Sequence, residues 1–212
     1  MLKTMIKIPA GKATLEGNLS IPGNAGSIIV FAHGSGRLSP RNIFVSENLE
    51  RSGFGTLLFD LLTADEERLD NITAELRFNI SFLTERLERA TEFLRREPDT
   101  KGLGLGYFGA SSGAAAALSA SVKYKSAVKA VVSRGGRPDL AESILGKVTA
   151  PTLLIVGGYD AEVLELNRSA LGKINAVKEL DIVPRATHLF EEPGALEKVS
   201  ALAVGWFKKY LG

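Results

Sequence analysis

The fold of this chain is decided by residues 104–118, which read Gly-Leu-Gly-Tyr-Phe-Gly-Ala-Ser-Ser-Gly-Ala-Ala-Ala-Ala-Leu. The stretch predicts a short apolar strand, a turn crowded with glycine and then an alanine-rich helix. Inside the turn lies Gly109-x-Ser111-x-Gly113, the pattern of a nucleophile elbow. In such a turn the serine has a strained backbone, and glycines flank it because strand and helix pass too close for a side chain. A five-residue pattern can arise by chance in a chain with 22 glycines, so its surroundings must support it.

Strands and helices alternate along the rest of the chain. The segments Thr4–Ile8 and Ala13–Ile21 alternate apolar and polar residues and predict an N-terminal hairpin. Short apolar runs predict buried strands at Ser27–Ala32 and Gly55–Leu62. Further strands are predicted at Ala127–Ser133, Pro151–Val156 and Lys178–Val183. Helices are predicted over 40–52, near 139–145, near 162–172 and from Pro193 to Leu211. This rhythm predicts one doubly wound α/β domain over residues 1–212, with right-handed crossovers.

The charged stretch Thr63–Asn71 is predicted to be a loop. A long amphipathic helix is expected after it, over roughly 72–97, because apolar residues recur there at helical spacing. Pro98 ends that helix, and its arginines and glutamates are expected to form a solvated face.

The composition excludes several classes of protein. Hydrophobic residues make up 45% and charged residues 24% of the chain, and the net charge of +2 gives no basis for binding nucleic acid or a membrane surface. Cysteine is absent, which suits the cytoplasm, and the N-terminus lacks the apolar core of a signal peptide, so we expect a cytoplasmic protein. With two histidines and no spaced carboxylate cluster, neither a metal nor another cofactor is expected.

The glycines at 104, 106 and 109 also fit the dinucleotide-binding fingerprint G-x-G-x-x-G. That fingerprint requires the glycines after the strand and an acidic residue about 20 residues further on. Here the glycines run through the strand itself, and Tyr124–Ala130 contains no acid. Nucleotide binding is therefore not expected.

An acid and a base follow the last two predicted strands. A serine hydrolase on such a sheet needs a serine, an acid and a histidine in that chain order, each at the carboxyl edge where open α/β sheets place ligands. Asp160 comes just beyond the strand Pro151–Val156, and His188 comes just beyond Lys178–Val183. The other histidine, His33, precedes an early glycine-rich turn, so His188 is the one candidate for the general base.

The chemistry assigns a role to each of these residues. Ser111 would attack as the nucleophile, His188 would take its proton, and Asp160 would fix the imidazole tautomer. The backbone N–H groups of Ser35 and Ser112 are expected to form the oxyanion hole.

Four motifs together resemble the α/β-hydrolase superfamily and its small dienelactone-hydrolase-like branch. They are His33-Gly34-Ser35-Gly36, Gly109-Ala110-Ser111-Ser112-Gly113, Gly157-Gly158-Tyr159-Asp160 and Ala186-Thr187-His188-Leu189-Phe190. The resemblance implies an eight-stranded, mostly parallel sheet in which only the second strand is antiparallel, with helices on both faces. Dienelactone hydrolase itself uses a cysteine nucleophile, which this chain lacks, so its activity on dienelactones is not carried over. The serine elbow instead looks like that of a carboxylesterase.

The substrate is expected to be a small ester. About 17 residues separate Ser133 from Pro151, which leaves room for one short helix rather than a large lid, so we expect an open pocket. Arg37, Arg41, Arg134 and Arg137 lie in loops near the same sheet edge, and Arg37 and Arg134 are candidates for binding an anionic substrate group.

Several functions remain compatible with these residues. The first is a serine carboxylic-ester hydrolase, and the second is a thioesterase, acyltransferase or small amidase that uses the same triad. The third is a non-catalytic binding protein on this scaffold. The sequence leaves the substrate and the oligomeric state, monomer or homodimer, open.

Overall fold

The centre of the molecule is a twisted sheet. The part of the chain that the computed structural model describes, residues 2–34 and 39–212, builds eight strands. They are β1 (Leu2–Ala10), β2 (Ala13–Ile21), β3 (Ser27–His33), β4 (Gly55–Phe59), β5 (Gly104–Ala110), β6 (Val128–Arg134), β7 (Thr152–Gly157) and β8 (Lys178–Val183). Their order is β1-β2-β4-β3-β5-β6-β7-β8, and β2 runs antiparallel to both neighbours while the pairs from β4 to β8 are parallel. This confirms the predicted fold.

Helices cover both faces of the sheet. The α-helices are α1 (Pro40–Arg51), α2 (Ala64–Thr73), α3 (Ile80–Arg96), α4 (Ser112–Lys123), α5 (Ala161–Lys173) and α6 (Ala195–Leu211), and 3-10 helices span Leu76–Phe78 and Pro138–Lys147. Successive residues of β3 point to opposite faces. Ile28 and Val30 pack with α3 and α4, whereas Ile29 and Phe31 pack with α1 and α6. A strand that is apolar at every position is therefore buried on both sides.

The prediction of a loop over Thr63–Asn71 is wrong, because this stretch contains most of α2. The Thr63 hydroxyl accepts a hydrogen bond from the Glu66 N–H, and the Glu66 carboxylate accepts one from the Thr63 N–H. This reciprocal capping box satisfies two backbone donors at the start of the helix. α2 then ends at Ala74, whose φ of 56° is left-handed.

The single helix predicted over 72–97 is consequently wrong as well. The end of α2, the 3-10 helix Leu76–Phe78 and α3 share this range. α3 starts after Asn79, whose side chain accepts a hydrogen bond from the Phe82 N–H. The strand predicted over Gly55–Leu62 stops at Phe59, although Leu61 and Leu62 remain buried in the core. Apolar residues in a buried loop look like a continuing strand in the sequence.

Candidate active site

Ser111 lies in the sharp turn between β5 and α4. Its φ of 53° and ψ of −130° place a non-glycine residue in a region that costs about 1–3 kcal/mol. A Cβ on Gly109 would lie 2.4 Å from the Ala114 Cα, and one on Gly113 would lie 2.3 Å from the Ala32 carbonyl oxygen. Any side chain at either position would collide with backbone. The glycines of the motif therefore let the helix pass directly over the strands, with Ser111 at the apex.

Asp160 and His188 meet at the same edge of the sheet. Asp160 directly precedes α5, and His188 lies in the loop that follows β8. The His188 Nδ1 is 2.6 Å from the Asp160 Oδ2. A hydrogen bond at this nitrogen leaves the Nε2 of the ring available for a second partner.

The loops after β7 and β8 are hydrogen-bonded to each other, and this brings Asp160 and His188 together. The Tyr159 N–H donates to the Ala186 carbonyl at 2.9 Å. A Cβ on Gly157 would lie 2.3 Å from the same carbonyl oxygen, so this close approach requires glycine. Asp160 and His188 are 28 residues apart in sequence, and the contact between their two loops holds them side by side.

Ser111 and His188 line one cavity of about 200 Å³. Ser112 lines it too, and as the first residue of α4 its N–H has no partner within the helix. A Cβ on Gly34 would lie 2.0 Å from the Ser112 Oγ, so the chain leaving β3 runs directly against the start of α4. The predicted second oxyanion donor, Ser35, lies outside the described residues.

The predicted arginines divide into two groups. Arg134 ends β6 and lines the cavity together with Arg41. Burial, together with the positive charge of Arg41, lowers the pKa of Arg134 to about 10, so the guanidinium stays charged at neutral pH. Arg137 instead forms an ion pair with Asp139 at 2.7 Å and is not among the residues that line the cavity. Arg37 lies outside the described residues.

The cavity has a second wall that the sequence did not predict. Arg77 and Phe78, in the 3-10 helix after α2, line the cavity together with the elbow residues Ser111 and Ser112. Asp70, which is 1% exposed, accepts hydrogen bonds from the backbone N–H groups of Leu76 and Arg77 and from the Arg77 Nε at 2.6 Å. In the sequence, the signal for α2, which precedes this wall, was the capping box Thr63-x-x-Glu66.

The electrostatics of Asp70 reflect these contacts. Burial raises the pKa of Asp70, but the hydrogen bonds from Arg77 and the charge of its guanidinium outweigh burial and hold the pKa below its ordinary value. The carboxylate is therefore ionised and fully used in holding this wall.

The structure offers no metal-binding cluster in residues 2–34 and 39–212, where no group of three or more His, Cys, Asp or Glu side chains is arranged to hold an ion. Over the same two ranges, no helix has both the length and the apolar character that crossing a bilayer requires.

One protein family matches nearly all of this chain. A sequence model of the dienelactone hydrolase family matches residues 15–210. Two curated relatives, from the CDC 1551 / Oshkosh and H37Rv strains of Mycobacterium tuberculosis, are each 53% identical over 209 residues. The match covers 97% of this chain and 46% of each relative, so the chain spans about half their length. The names of both relatives assign them provisionally to the phosphoribosyl transferases.

Solved structures agree with the family match. A dienelactone hydrolase from Anabaena variabilis is 52% identical with a TM-score of 0.96, and the match covers 100% of this chain and 99% of that one. The esterase domain of a Rhodothermus marinus protein is 19% identical with a TM-score of 0.78 and full coverage of both chains. At that identity the likeness is one of fold alone. The architecture is that of an α/β hydrolase.

Proposed function

Since this chain belongs to the dienelactone hydrolase family, we propose that it is a serine hydrolase that cleaves small carboxylic esters through an acyl-enzyme on Ser111. The observation that carries the proposal is the 2.6 Å contact between the His188 Nδ1 and the Asp160 Oδ2, with His188 and Ser111 lining one cavity. Family membership supports hydrolase chemistry, and the residue roles and the ester substrate are proposed with it.

The first half of the reaction is acylation. His188 takes the proton of the Ser111 hydroxyl through its Nε2 while the Ser111 oxygen attacks the ester carbonyl carbon. Asp160 holds the ring so that the proton-accepting nitrogen faces the serine, and its charge stabilises the imidazolium that forms. The imidazolium then returns its proton to the alcohol as the carbon–oxygen bond of the ester breaks.

The tetrahedral intermediate carries a negative charge on oxygen, which the start of α4 is suited to stabilise. The Ser112 N–H and the positive end of the helix dipole lie beside Ser111. A backbone donor in such a position typically contributes about 3 kcal/mol to the transition state. In the second half, water attacks the acyl-enzyme with His188 again as base, and the acid product leaves.

The same triad would serve a thioesterase, an acyltransferase or a small amidase, and these remain the alternative functions. The transferase name of the mycobacterial relatives belongs to proteins of which this chain represents 46%. We assign the triad chemistry to this chain, and the transferase name applies to the full-length relatives.

A fluorophosphonate probe tests the nucleophile directly. The wild-type protein is expected to be labelled, and Ser111→Ala is expected to abolish labelling and to lower kcat on 4-nitrophenyl acetate by roughly 10⁴-fold or more, because the acyl-enzyme can no longer form. Ser169→Ala, which changes a serine on the exposed side of α5, is the matched control and should label like the wild type.

Two results would contradict the proposal: a folded wild-type protein that the probe leaves unlabelled, or labelling that survives in Ser111→Ala. Turnover of matched 4-nitrophenyl esters, thioesters and anilides then separates the ester hydrolase from the alternatives. A preference for the thioester or the anilide would replace the ester assignment while keeping the triad.

A further inference from the structure

Arg134 is a buried cation with unused hydrogen-bond donors. Its side chain lines the cavity, and the residue is only 8% exposed. Among the described residues, neither its Nε nor its Nη1 has a hydrogen-bond partner, although both atoms are buried. Leaving buried donors of a charged group unpaired costs several kcal/mol, because the group has lost water and gained nothing in return.

Other arginines of the same molecule show how the fold satisfies a charge when it needs one for structure. Arg77 is bound by Asp70, Arg86 by Glu66 at 2.7 Å, and Arg137 by Asp139. Arg134 has no carboxylate partner in residues 2–34 and 39–212, and the neighbouring charge that affects its pKa is another cation, Arg41. A cation placed against a cation in a cavity is arranged for an anion that comes from outside the chain.

Arg41 contributes to the same cavity from the first turn of α1. Its Nε is buried and also lacks a partner among the described residues. Its Nη1 is 3.3 Å from Glu191, but the Glu191 side chain is 64% exposed, so solvent screens that ion pair. The exposed Glu191 therefore neutralises Arg41 only weakly, and the guanidinium can still attract an anion in the cavity.

The three unpaired donor atoms, the Arg134 Nε and Nη1 and the Arg41 Nε, indicate what kind of anion fits. A phosphate monoester presents three acceptor oxygens and a charge near −2 at neutral pH, whereas a carboxylate presents two oxygens and a single charge. We propose that Arg134 and Arg41 form a subsite for the phosphate group of a phosphorylated ester substrate.

The subsite lies close enough to Ser111 for one substrate to contact both. In the sheet Ala110 pairs with Arg134, and the Ser111 N–H lies 3.4 Å from the Arg134 carbonyl oxygen. The phosphate is held next to the nucleophile but is not attacked. Water is consumed, the carboxylic ester bond breaks, and the phosphate stays on the acid or the alcohol that leaves. This substrate class rests on the proposed serine hydrolase.

Inhibition measures the subsite without requiring the natural substrate. Phenyl phosphate, benzoate and phenol are compared as inhibitors of 4-nitrophenyl acetate hydrolysis by the wild-type protein. Phenyl phosphate is expected to compete with the ester and to bind more tightly than benzoate, with phenol the weakest, because the three differ in the charge and the oxygens they offer. In Arg134→Gln the Ki of phenyl phosphate should rise by about 10- to 100-fold, the loss expected for hydrogen bonds between charged groups.

Two further variants make the test specific. Arg41→Gln, a change at a partly exposed side chain, should raise the same Ki by about tenfold and serves if Arg134→Gln does not fold. Arg137→Gln is the matched control, because it removes an arginine three residues from Arg134 that is paired with Asp139 outside the cavity. It should leave the Ki of phenyl phosphate unchanged.

The outcomes separate the subsite from the proposed reaction. Equal binding of benzoate and phenyl phosphate, both dependent on Arg134, would replace the phosphate by a carboxylate. A Ki that Arg134→Gln and Arg41→Gln leave unchanged would overturn the subsite altogether. Calorimetric binding of phenyl phosphate to Ser111→Ala reports on the subsite even if the wild type hydrolyses no ester, which would be a failure of the proposed function instead.

Discussion

The two walls of the cavity are held by different forces. We call residues 109–113 the elbow wall and residues 64–79 the α2 wall. The elbow wall is fixed by backbone packed against backbone, at approach distances that only glycine permits. The α2 wall is fixed by a buried carboxylate, Asp70, which binds the chain six and seven residues further on.

Because they are held differently, the elbow wall is rigid, whereas the α2 wall tolerates changes of its side chains. Close backbone packing has no alternative arrangement, so it suits a nucleophile whose position must not drift. A wall held by charged contacts of Asp70 and Glu66 carries partly exposed side chains, such as the half-exposed Phe78, that can change without disturbing the sheet. We therefore expect substitutions of the glycines in the elbow wall to affect folding, and those of cavity-lining side chains in the α2 wall to affect mainly substrate binding.

The largest effect is expected for Gly113→Ala. The new methyl group would meet the Ala32 carbonyl oxygen at 2.3 Å, and neither backbone can move without breaking the sheet or the helix. The free energy of unfolding should fall by about 3 kcal/mol or more, with loss of esterase activity in any protein that still folds. Urea denaturation followed by circular dichroism measures the change.

Gly205→Ala is the control for that substitution. Gly205 lies in the middle of α6, and apart from its chain neighbours and its own helix backbone, no atom of the described residues lies within 4 Å of a Cβ placed there. This variant should be more stable than the wild type by about 0.5–1 kcal/mol, because alanine favours a helix. If both variants behaved alike, close packing would not be what fixes the elbow wall.

A smaller effect is expected for Asp70→Asn in the α2 wall. The amide keeps one acceptor but loses the charge that binds Arg77, a residue that is one-third exposed on its side chain. The free energy of unfolding at pH 7 should fall by about 2 kcal/mol, below the full cost of breaking a buried pair because solvent reaches the arginine. KM for esters should rise because Arg77 and Phe78 lose their support.

The stability difference between the wild type and Asp70→Asn should depend on pH. The folded-state pKa of Asp70 lies below its unfolded value, so its contribution is complete above the unfolded pKa of about 4 and disappears as the pH falls through the lowered pKa. The stability difference between the wild type and Asp70→Asn should therefore shrink on acidification. A difference that stayed constant from pH 7 to pH 2 would exclude the charged interaction as its cause.

The smallest effect is expected for Phe78→Ala. Because the ring is half exposed and lines the cavity, its removal should raise KM for aromatic esters by about three- to tenfold. The stability should change by less than about 0.5 kcal/mol. Leu69→Ala, at an equally exposed position on α2 that does not line the cavity, should leave KM unchanged. A rise in KM for both variants would indicate a general loosening of the α2 wall.

The sheet and the three proposed triad residues could be predicted because their signals are local and repeated. Ser111 and Asp160 each follow a short, buried apolar run, and His188 follows the predicted strand Lys178–Val183, which is mostly exposed. Parallel strands end at one edge, so placement after a strand is already placement in space. Their meeting in one site followed without any knowledge of side-chain contacts.

The α2 wall could not be found in the same way. α2 has no apolar stripe, since Leu69 and Ile72 are exposed and the one residue it buries is Asp70. Periodicity detects helices that pack on a core, and this helix is held by its capping box and by a carboxylate instead. In the sequence, only the four-residue capping box Thr63-x-x-Glu66 indicates α2.

The sequence by itself determined the order of the strands along the chain, the turn at Ser111 and the chain order of the proposed nucleophile, acid and base. These depend on residue spacing, glycine and apolar runs, which are properties of neighbours in the chain. The tertiary structure alone decided which charges are paired: Arg137 with Asp139, Arg77 with Asp70, and Arg134 with no acid among the described residues. Whether a charge is paired depends on burial and on where the side chains lie in the folded chain. Arginines that look alike in the sequence therefore differ once solvent is removed from one of them.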